Sequence, residues 1–284
     1  MTEPWCEDLL WEAVRGAELG RKLCTCEGYY HCLWGLLRAS GAMKGLSSEE
    51  QTLSGVMAPF IRPNARVLIG GSADVGVLCS LGRIYGTNRA EFTVVDRCRS
   101  PLELIGEFAA ARDIPCRTLN LDILDLDGSE TWDQIVLHYT ANFVDANHRK
   151  QFLGGIARAL EPGGTLICAV KTGEKVFVEQ RDMLEAAFLA RSRGDLRQFL
   201  SDRRIEIPGI ETMLLAYASA ATARRLNMTT LSDMQEAIRH VGLRVLSVHS
   251  TPRTFRYYQD EGSGARIDSS TLLVATRDYD DGAP

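Results

Sequence analysis

The stretch Arg66-Val67-Leu68-Ile69-Gly70-Gly71-Ser72-Ala73-Asp74-Val75-Gly76 decides the fold. A short apolar run stops abruptly at small residues, as a buried parallel strand does where it turns into a helix. Small residues let the backbone turn tightly and approach a ligand with no side chain intervening. The helix that follows would aim its free N–H groups at that ligand. Glycine serving turn geometry alone accounts for this stretch equally well, so the rest of the chain has to choose.

Working outward, strand-like runs recur at residues 66–69, 91–95, 116–119, 134–138 and 165–170, alternating with helix-like segments at 74–84, 101–111 and 145–160. Such alternation predicts a parallel sheet with helices on both faces, binding its ligand beyond the carboxyl ends of the strands. Upstream, residues 8–23 and 29–39 carry apolar residues at helical spacing, and Ser47-Ser48-Glu49-Glu50 reads as a helix start that Pro59 and Pro63 close off. After Lys171 the rhythm breaks into helical segments at 183–190, 196–200 and 211–226, separated by Gly194 and by Ile207-Pro208-Gly209. An insertion of that length at the ligand edge covers or shapes a site. A helix over 230–241 and strands over 243–248 and 270–276 then complete the sheet.

With 284 residues, 45% apolar and 24% charged, the chain has the composition of an ordinary soluble globular protein. No apolar run is long enough to span a bilayer, and the first ten residues are acidic where a signal peptide would be basic, so a cytoplasmic protein with no membrane partner is expected. The eight cysteines are scattered, several within apolar runs where a reduced thiol acts as a small hydrophobe. A net charge of −5 argues against a nucleic-acid partner bound by a broad basic surface.

Two chemistries use a glycine-rich turn after a first strand with an acid ending the second. Gly71-Ser-Ala-Asp-Val-Gly76 nearly matches the dinucleotide pattern, and Asp96 follows 20 residues later. A carboxylate there accepts hydrogen bonds from ribose hydroxyls, whether the ligand is NAD or S-adenosylmethionine. Three later segments narrow the choice: Trp132-Asp-Gln-Ile-Val-Leu-His138-Tyr139, Glu161-Pro-Gly-Gly-Thr-Leu-Ile167 and Asn120-Leu-Asp122. In their order and spacing they resemble the class I S-adenosylmethionine-dependent methyltransferases of small-molecule type, over roughly residues 60–172 and again from 229 to the end.

The resemblance implies an α/β, Rossmann-like seven-stranded, mostly parallel sheet with its last strand antiparallel. It would form one domain, with a helical cap over 1–60, a cofactor-binding half over 61–172, a helical insertion between strands 5 and 6 over 173–229, and sheet completion over 230–284. By position, Gly70, Gly71, Ser72 and Ala73 would approach the methionine part of the cofactor and Asp96 would hold its ribose. Arg97 and Cys98 would flank the adenine, and Asp122 with Ile123 would complete that pocket. His138 and Tyr139 would face cofactor or substrate, and Tyr30 and His31, on N-terminal helices that in related enzymes lid the site, join the candidates. The chain departs from the family at Ile69, where an acid is usual, and at Ala73 and Val75, where glycines are usual. Val75 is expected to make the loop less permissive, and Asp74 to supply a polar contact in place of the missing acid.

Methyl transfer from a sulfonium is an in-line displacement, so the protein must align the nucleophile and exclude water, with a base only if the nucleophile arrives protonated. The candidate catalytic residues are His138 first, as a strand-end histidine able to titrate near neutrality, then Tyr139 and His31. No metal is expected: Cys24-Thr-Cys26 with His31 and Cys32 fits no zinc spacing, because CxC on a helix separates the thiols. Arg191, Arg193, Arg197, Arg203 and Arg204, interleaved with Asp195 and Asp202, read as a solvated helix face. The expected activity is S-adenosylmethionine-dependent methylation of a small, specialised metabolite in a pocket lined by Tyr29, Tyr30, Trp34, Phe188, Phe199, Met213 and Tyr217, with a homodimer compatible with the sequence. The alternatives are an RNA methyltransferase using the arginine run, an NAD-dependent dehydrogenase, and a cofactor-binding protein with a non-methylating reaction.

Overall fold

The computed structural model describes residues 5–43, 46, 49–86, 89–172, 181–226, 229–254 and 267–278. Seven strands form one sheet: β1 (Arg66–Gly70), β2 (Glu91–Asp96), β3 (Cys116–Asn120), β4 (Trp132–His138), β5 (Leu160–Thr172), β6 (Leu243–Thr254) and β7 (Ile267–Arg277). Their order is β3-β2-β1-β4-β5-β7-β6, with β1 to β5 parallel and β7 antiparallel to both β5 and β6. Strand order reverses between β1 and β4, so the carboxyl ends of β1, β2 and β4 surround the crevice where such sheets bind ligands.

The apolar runs are continuous because both faces are covered. Val67, Ile69, Val94, Val136 and Ile167 point into one core. It is completed by the helices α3 (Glu50–Met57), α4 (Gly76–Tyr85) and α5 (Arg99–Ala110). The alternate residues Leu68, Val95, Ile135, Leu137, Leu166 and Cys168 point into the other core, under α6 (Arg149–Ala159) and α9 (Leu231–His240). Each such fully buried side chain contributes about 1.5–3 kcal/mol of transfer free energy.

A third cluster lies in the helical cap, formed by α1 (Leu9–Leu23), α2 (Tyr30–Ala39), α7 (Arg181–Arg203) and α8 (Ile210–Leu226). Leu33, Leu36 and Leu37 of α2 meet Leu196, Leu214 and Tyr217 there, all 2% exposed or less. Asp8 caps α1 by accepting the Trp11 N–H at 3.0 Å, and Arg15 ties α1 to α5 through Glu107. Contrary to expectation Gly194 does not interrupt the insertion: α7 runs through it, and an added Cβ would meet nothing within 4 Å. The Ser47-Ser48 helix start lies outside the described residues, and α3 begins at Glu50. No described helix is long and apolar enough to cross a membrane.

Candidate functional site

The corner after β1 explains why small residues stand there. Gly71 takes φ +74°, its N–H donates to the Val95 carbonyl at 2.8 Å, and a Cβ on it would lie 2.9 Å from Thr140. A Cβ on Gly70 would strike Ile123 and Leu137 at 2.5 Å, so glycine is needed for Ile123 to close over the corner. The departures from the family pattern cost less than expected. Val75 has φ −78°, an ordinary helical value, and both it and Ile69 are completely buried in the sheet core. Asp74 is turned inward rather than toward the crevice. It accepts from Trp34 Nε1 at 2.7 Å and the Gly76 N–H at 2.8 Å, and pairs with Arg38 at 3.0 Å. Arg38 also binds Glu7 and the buried Glu12, so Asp74 belongs to an ion cluster anchoring the cap to the glycine turn.

Asp96 stands at the end of β2. One carboxylate oxygen accepts the Ser72 N–H at 3.2 Å and the other the Cys98 N–H at 2.7 Å. Burial raises its pKa, against the pull of those N–H groups and of His31. A carboxylate offers about four lone-pair sites, so this one keeps acceptor capacity for further donors. Asn120 links the neighbouring strand end by donating to the Asp96 and Arg97 carbonyls, while the Arg97 side chain is exposed. Asp122 accepts the Leu124 N–H at 3.0 Å, fixing the turn that carries Ile123. Ser72, Asp96, Cys98, Asp122 and Ile123 therefore gather around one edge.

Above that edge Tyr30 stacks on Trp34 and Tyr217, with centroids 5.8 Å away in both cases, and meets Phe143 edge-on at 5.4 Å. The expected pocket lining thus divides. Tyr30, Trp34 and Tyr217 pack on one another, Phe199 and Met213 fill the cap core, Tyr29 is exposed, and the Phe188 side chain lies outside those described. The arginine run is likewise partly engaged, since Arg193 and Arg197 pair with Glu211 of α8 at 3.0 and 2.7 Å.

At the end of β4 the chain turns through Tyr139 at φ 62°, and Thr140 donates to the Gly70 carbonyl, so His138-Tyr139-Thr140 borders the glycine corner. Beside it a cavity of about 100 Å³ is lined by Glu49, Thr52, Leu53, Val136, His138, Ile167, Ala169, His249, Ser270 and Leu272 among others. The Tyr139 hydroxyl donates to the Glu49 carboxylate at 2.9 Å and bonds Ser270 Oγ. Glu49 and Ser270 were not among the sequence candidates, and Glu49 carried only a helix-start signal. His138 Nε2 is buried with no hydrogen-bond partner among the described residues, 4.0 Å from Glu49. Burial, helped by Lys171, pushes the His138 pKa down to about 3 rather than leaving it near neutrality, so the imidazole is neutral and only weakly basic.

One geometric premise of the sequence reading fails. α1 ends at Leu23, and both Cys24 and Cys26 lie in extended backbone rather than on a helix. Their thiols converge with His31 and Cys98, all four candidate ligand atoms falling within 4.8 Å of one another. His31 presents Nδ1 to Cys24 Sγ at 3.4 Å, not toward the β4 cavity.

No protein-family model matches the chain. Carboxy-S-adenosyl-L-methionine synthase from Stutzerimonas stutzeri is 27% identical over 136 residues, 46% of this chain and 55% of that protein. The enzyme of the same name from Pseudomonas putida is 24% identical over 207 residues, 71% of this chain and 78% of its own. The first of these matches spans only about half of the relative's length. A solved structure from Bacillus halodurans, assigned as a methyltransferase, superimposes with a TM-score of 0.55 at 12% identity, covering 82% of this chain and all of that one. The chain is thus similar in sequence to these synthases and shares its overall fold with a methyltransferase structure of low identity.

Proposed function

We propose that this chain binds S-adenosylmethionine across the carboxyl ends of β1, β2 and β3 and methylates a small molecule held at the ends of β4 and β7. The observation that carries this reading is Asp96: a desolvated carboxylate, fixed by two backbone N–H groups, with lone pairs left for the paired hydroxyls of a ribose. Ile123, packed against Gly70, gives an apolar wall for the adenine, and Trp34 of the Tyr30 cluster reaches the glycine turn by donating to Asp74. When bound, S-adenosylmethionine supplies a methyl group already activated by its sulfonium. The residues of this chain then have to position the acceptor and keep water out.

Positioning falls to the β4 cavity. Neutral His138 accepts a hydrogen bond from an acceptor hydroxyl or amine, and Glu49, held by Tyr139, supports a cationic group or takes up a released proton. The mostly apolar lining suits a small apolar part of an acceptor better than a polymer.

The names of the relatives favour a second reading, in which the chain carboxylates S-adenosylmethionine instead of spending its methyl group. That reading needs a cation for the carboxylate donor, and Lys171, over the Tyr139 ring at 5.4 Å, is the candidate beside the cavity. A thermal-shift panel with S-adenosylhomocysteine, S-adenosylmethionine and NAD tests the cofactor. A ligand at about 100 times its Kd adds about 2.7 kcal/mol, so the first two should raise Tm on wild type and not on Asp96→Ala. A larger shift with NAD, or none with S-adenosylhomocysteine, refutes the proposal. Mass spectrometry of S-adenosylmethionine after incubation separates the two reactions, since one leaves S-adenosylhomocysteine and the other a carboxylated cofactor.

A further inference from the structure

We infer that Cys24, Cys26, His31 and Cys98 form a four-coordinate zinc site that pins the helical cap to the turn after β2. Three separate parts of the chain deliver these side chains. Cys24 follows the last turn of α1, and Cys26 follows in extended backbone. Gly28 at φ +66° and Tyr29 at φ 52° then reverse the chain and set His31 in the first turn of α2. The reversal is pressed against α8, where a Cβ on Gly28 would lie 2.7 Å from the Ala220 Cβ, so the cap itself holds the loop in this shape. Cys98 comes from β2–α5, its backbone fixed by donation to Asp96.

The four ligand atoms lie within 4.8 Å of one another, and Cys24 Sγ to His31 Nδ1 is 3.4 Å. Tetrahedral zinc, with Zn–S about 2.3 Å and Zn–N about 2.0 Å, holds its ligand atoms about 3.5–3.8 Å apart, so closure needs a contraction of at most about 1 Å. Three thiols and an imidazole are a soft donor set that selects zinc and disfavours calcium and magnesium, which take oxygen ligands. All four positions are filled by protein, the mark of a closed structural site rather than a catalytic one. All the cysteines of the set are free thiols, and Cys32, buried beside them, packs in the cap core instead of joining. Binding deprotonates the thiols and releases their protons, with no oxidant or reductant required.

Cys98 donates its backbone N–H to the Asp96 carboxylate at 2.7 Å, so one ligand of the set is tied directly to that acid. Occupancy would therefore couple the seating of the cap to the acid that the cofactor reading assigns to the ribose. The site itself is independent of that reading, since it is scored by metal content and not by activity.

The experiment is elemental analysis of the full-length protein produced with zinc in the medium and dialysed under reducing conditions, followed by cobalt substitution. About one zinc per chain is expected, with cobalt giving a thiolate-to-metal charge-transfer band and the intense visible bands of tetrahedral coordination. Cys98→Ser and His31→Ala should each weaken metal retention by more than about 10-fold, while Cys6→Ser, at an exposed position outside the set, should keep it. If a ligand variant fails to fold, the cobalt spectrum of the wild type still decides. The proposal is overturned by wild-type protein that takes up neither metal, by retention unchanged in both ligand variants, or by a cobalt spectrum without thiolate bands. It is overturned equally if the natively purified protein has a mass lower by two hydrogens through an oxidised pair within the set.

Discussion

Two histidines stand at opposite ends of the candidate site, both desolvated, and their surroundings drive them in opposite directions. In the metal-free chain burial works to lower the pKa of His31, but hydrogen bonding to Cys24 and Cys98 and the charge of Asp96 outweigh it and hold the imidazole up at about 9. Burial lowers His138 as well, and there Lys171 adds to it, leaving that ring at about 3. Desolvation is common to the two; the charge of the neighbours decides. The β2 end is therefore a place that attracts positive charge and fixes geometry through many contacts. The β4 end keeps a neutral ring whose Nε2 has no hydrogen-bond partner among the described residues and faces a cavity, which is what a group waiting for a polar partner looks like. In the reading proposed above, holding a cofactor falls to the first end and meeting an acceptor to the second.

That division can be broken by one pair of variants, and this is the largest effect expected. Asp96→Ala removes hydrogen bonds to a charged group worth about 1.5–3 kcal/mol each, so S-adenosylhomocysteine affinity should fall by about 100-fold or more in titration calorimetry. Glu49→Gln, at the other end, should leave that affinity within about 3-fold and lower turnover once an acceptor is known. If Glu49→Gln weakens cofactor binding as strongly as Asp96→Ala, the two ends are not separable and the assignment of roles collapses.

A smaller effect is expected at the glycine corner between them. Gly71→Ala places a side chain at φ +74° and a methyl group 2.9 Å from Thr140. The left-handed conformation alone costs about 1–2 kcal/mol, so a loss of stability of that size or somewhat more should appear as a lowered urea midpoint. Gly194→Ala is the control: with nothing within 4 Å it should stabilise α7 by up to about 1 kcal/mol.

What could be read from residues alone follows the range over which the physics acts. The sheet was legible because strands such as Val67–Ile69 are buried on both faces and keep an unbroken apolar pattern. Asp96 and the glycine corner were legible because their spacing is local to one β-α-β unit. Gly194 was read as a break because the pattern does not reveal that an exposed helix tolerates a glycine at small cost. The cysteine pair was judged on helical geometry, and only the end of α1 at Leu23 shows that this does not apply. Glu49 and Ser270 are 221 residues apart and meet because β7 inserts beside β5, a consequence of strand order that no local spacing encodes.

The smallest effect isolates His138. With a folded-state pKa near 3 and an ordinary unfolded value of 6.5, the unfolded chain binds a proton between those limits and the folded chain does not. The stabilisation is therefore complete above about pH 6.5 and is lost as the pH falls toward 3. One proton contributes a slope of at most about 1.4 kcal/mol per pH unit in that window. Urea midpoints of wild type and His138→Asn from pH 4 to 7 should diverge, the variant losing less stability on acidification. An acceptor that donates a hydrogen bond to Nε2 favours the neutral ring further and should extend the wild-type limb to lower pH while leaving the variant unchanged. Equal slopes for the two proteins would mean that His138 protonates freely in the folded state. The ring would then be available as an ordinary base, and the opposition between the two histidines would fall.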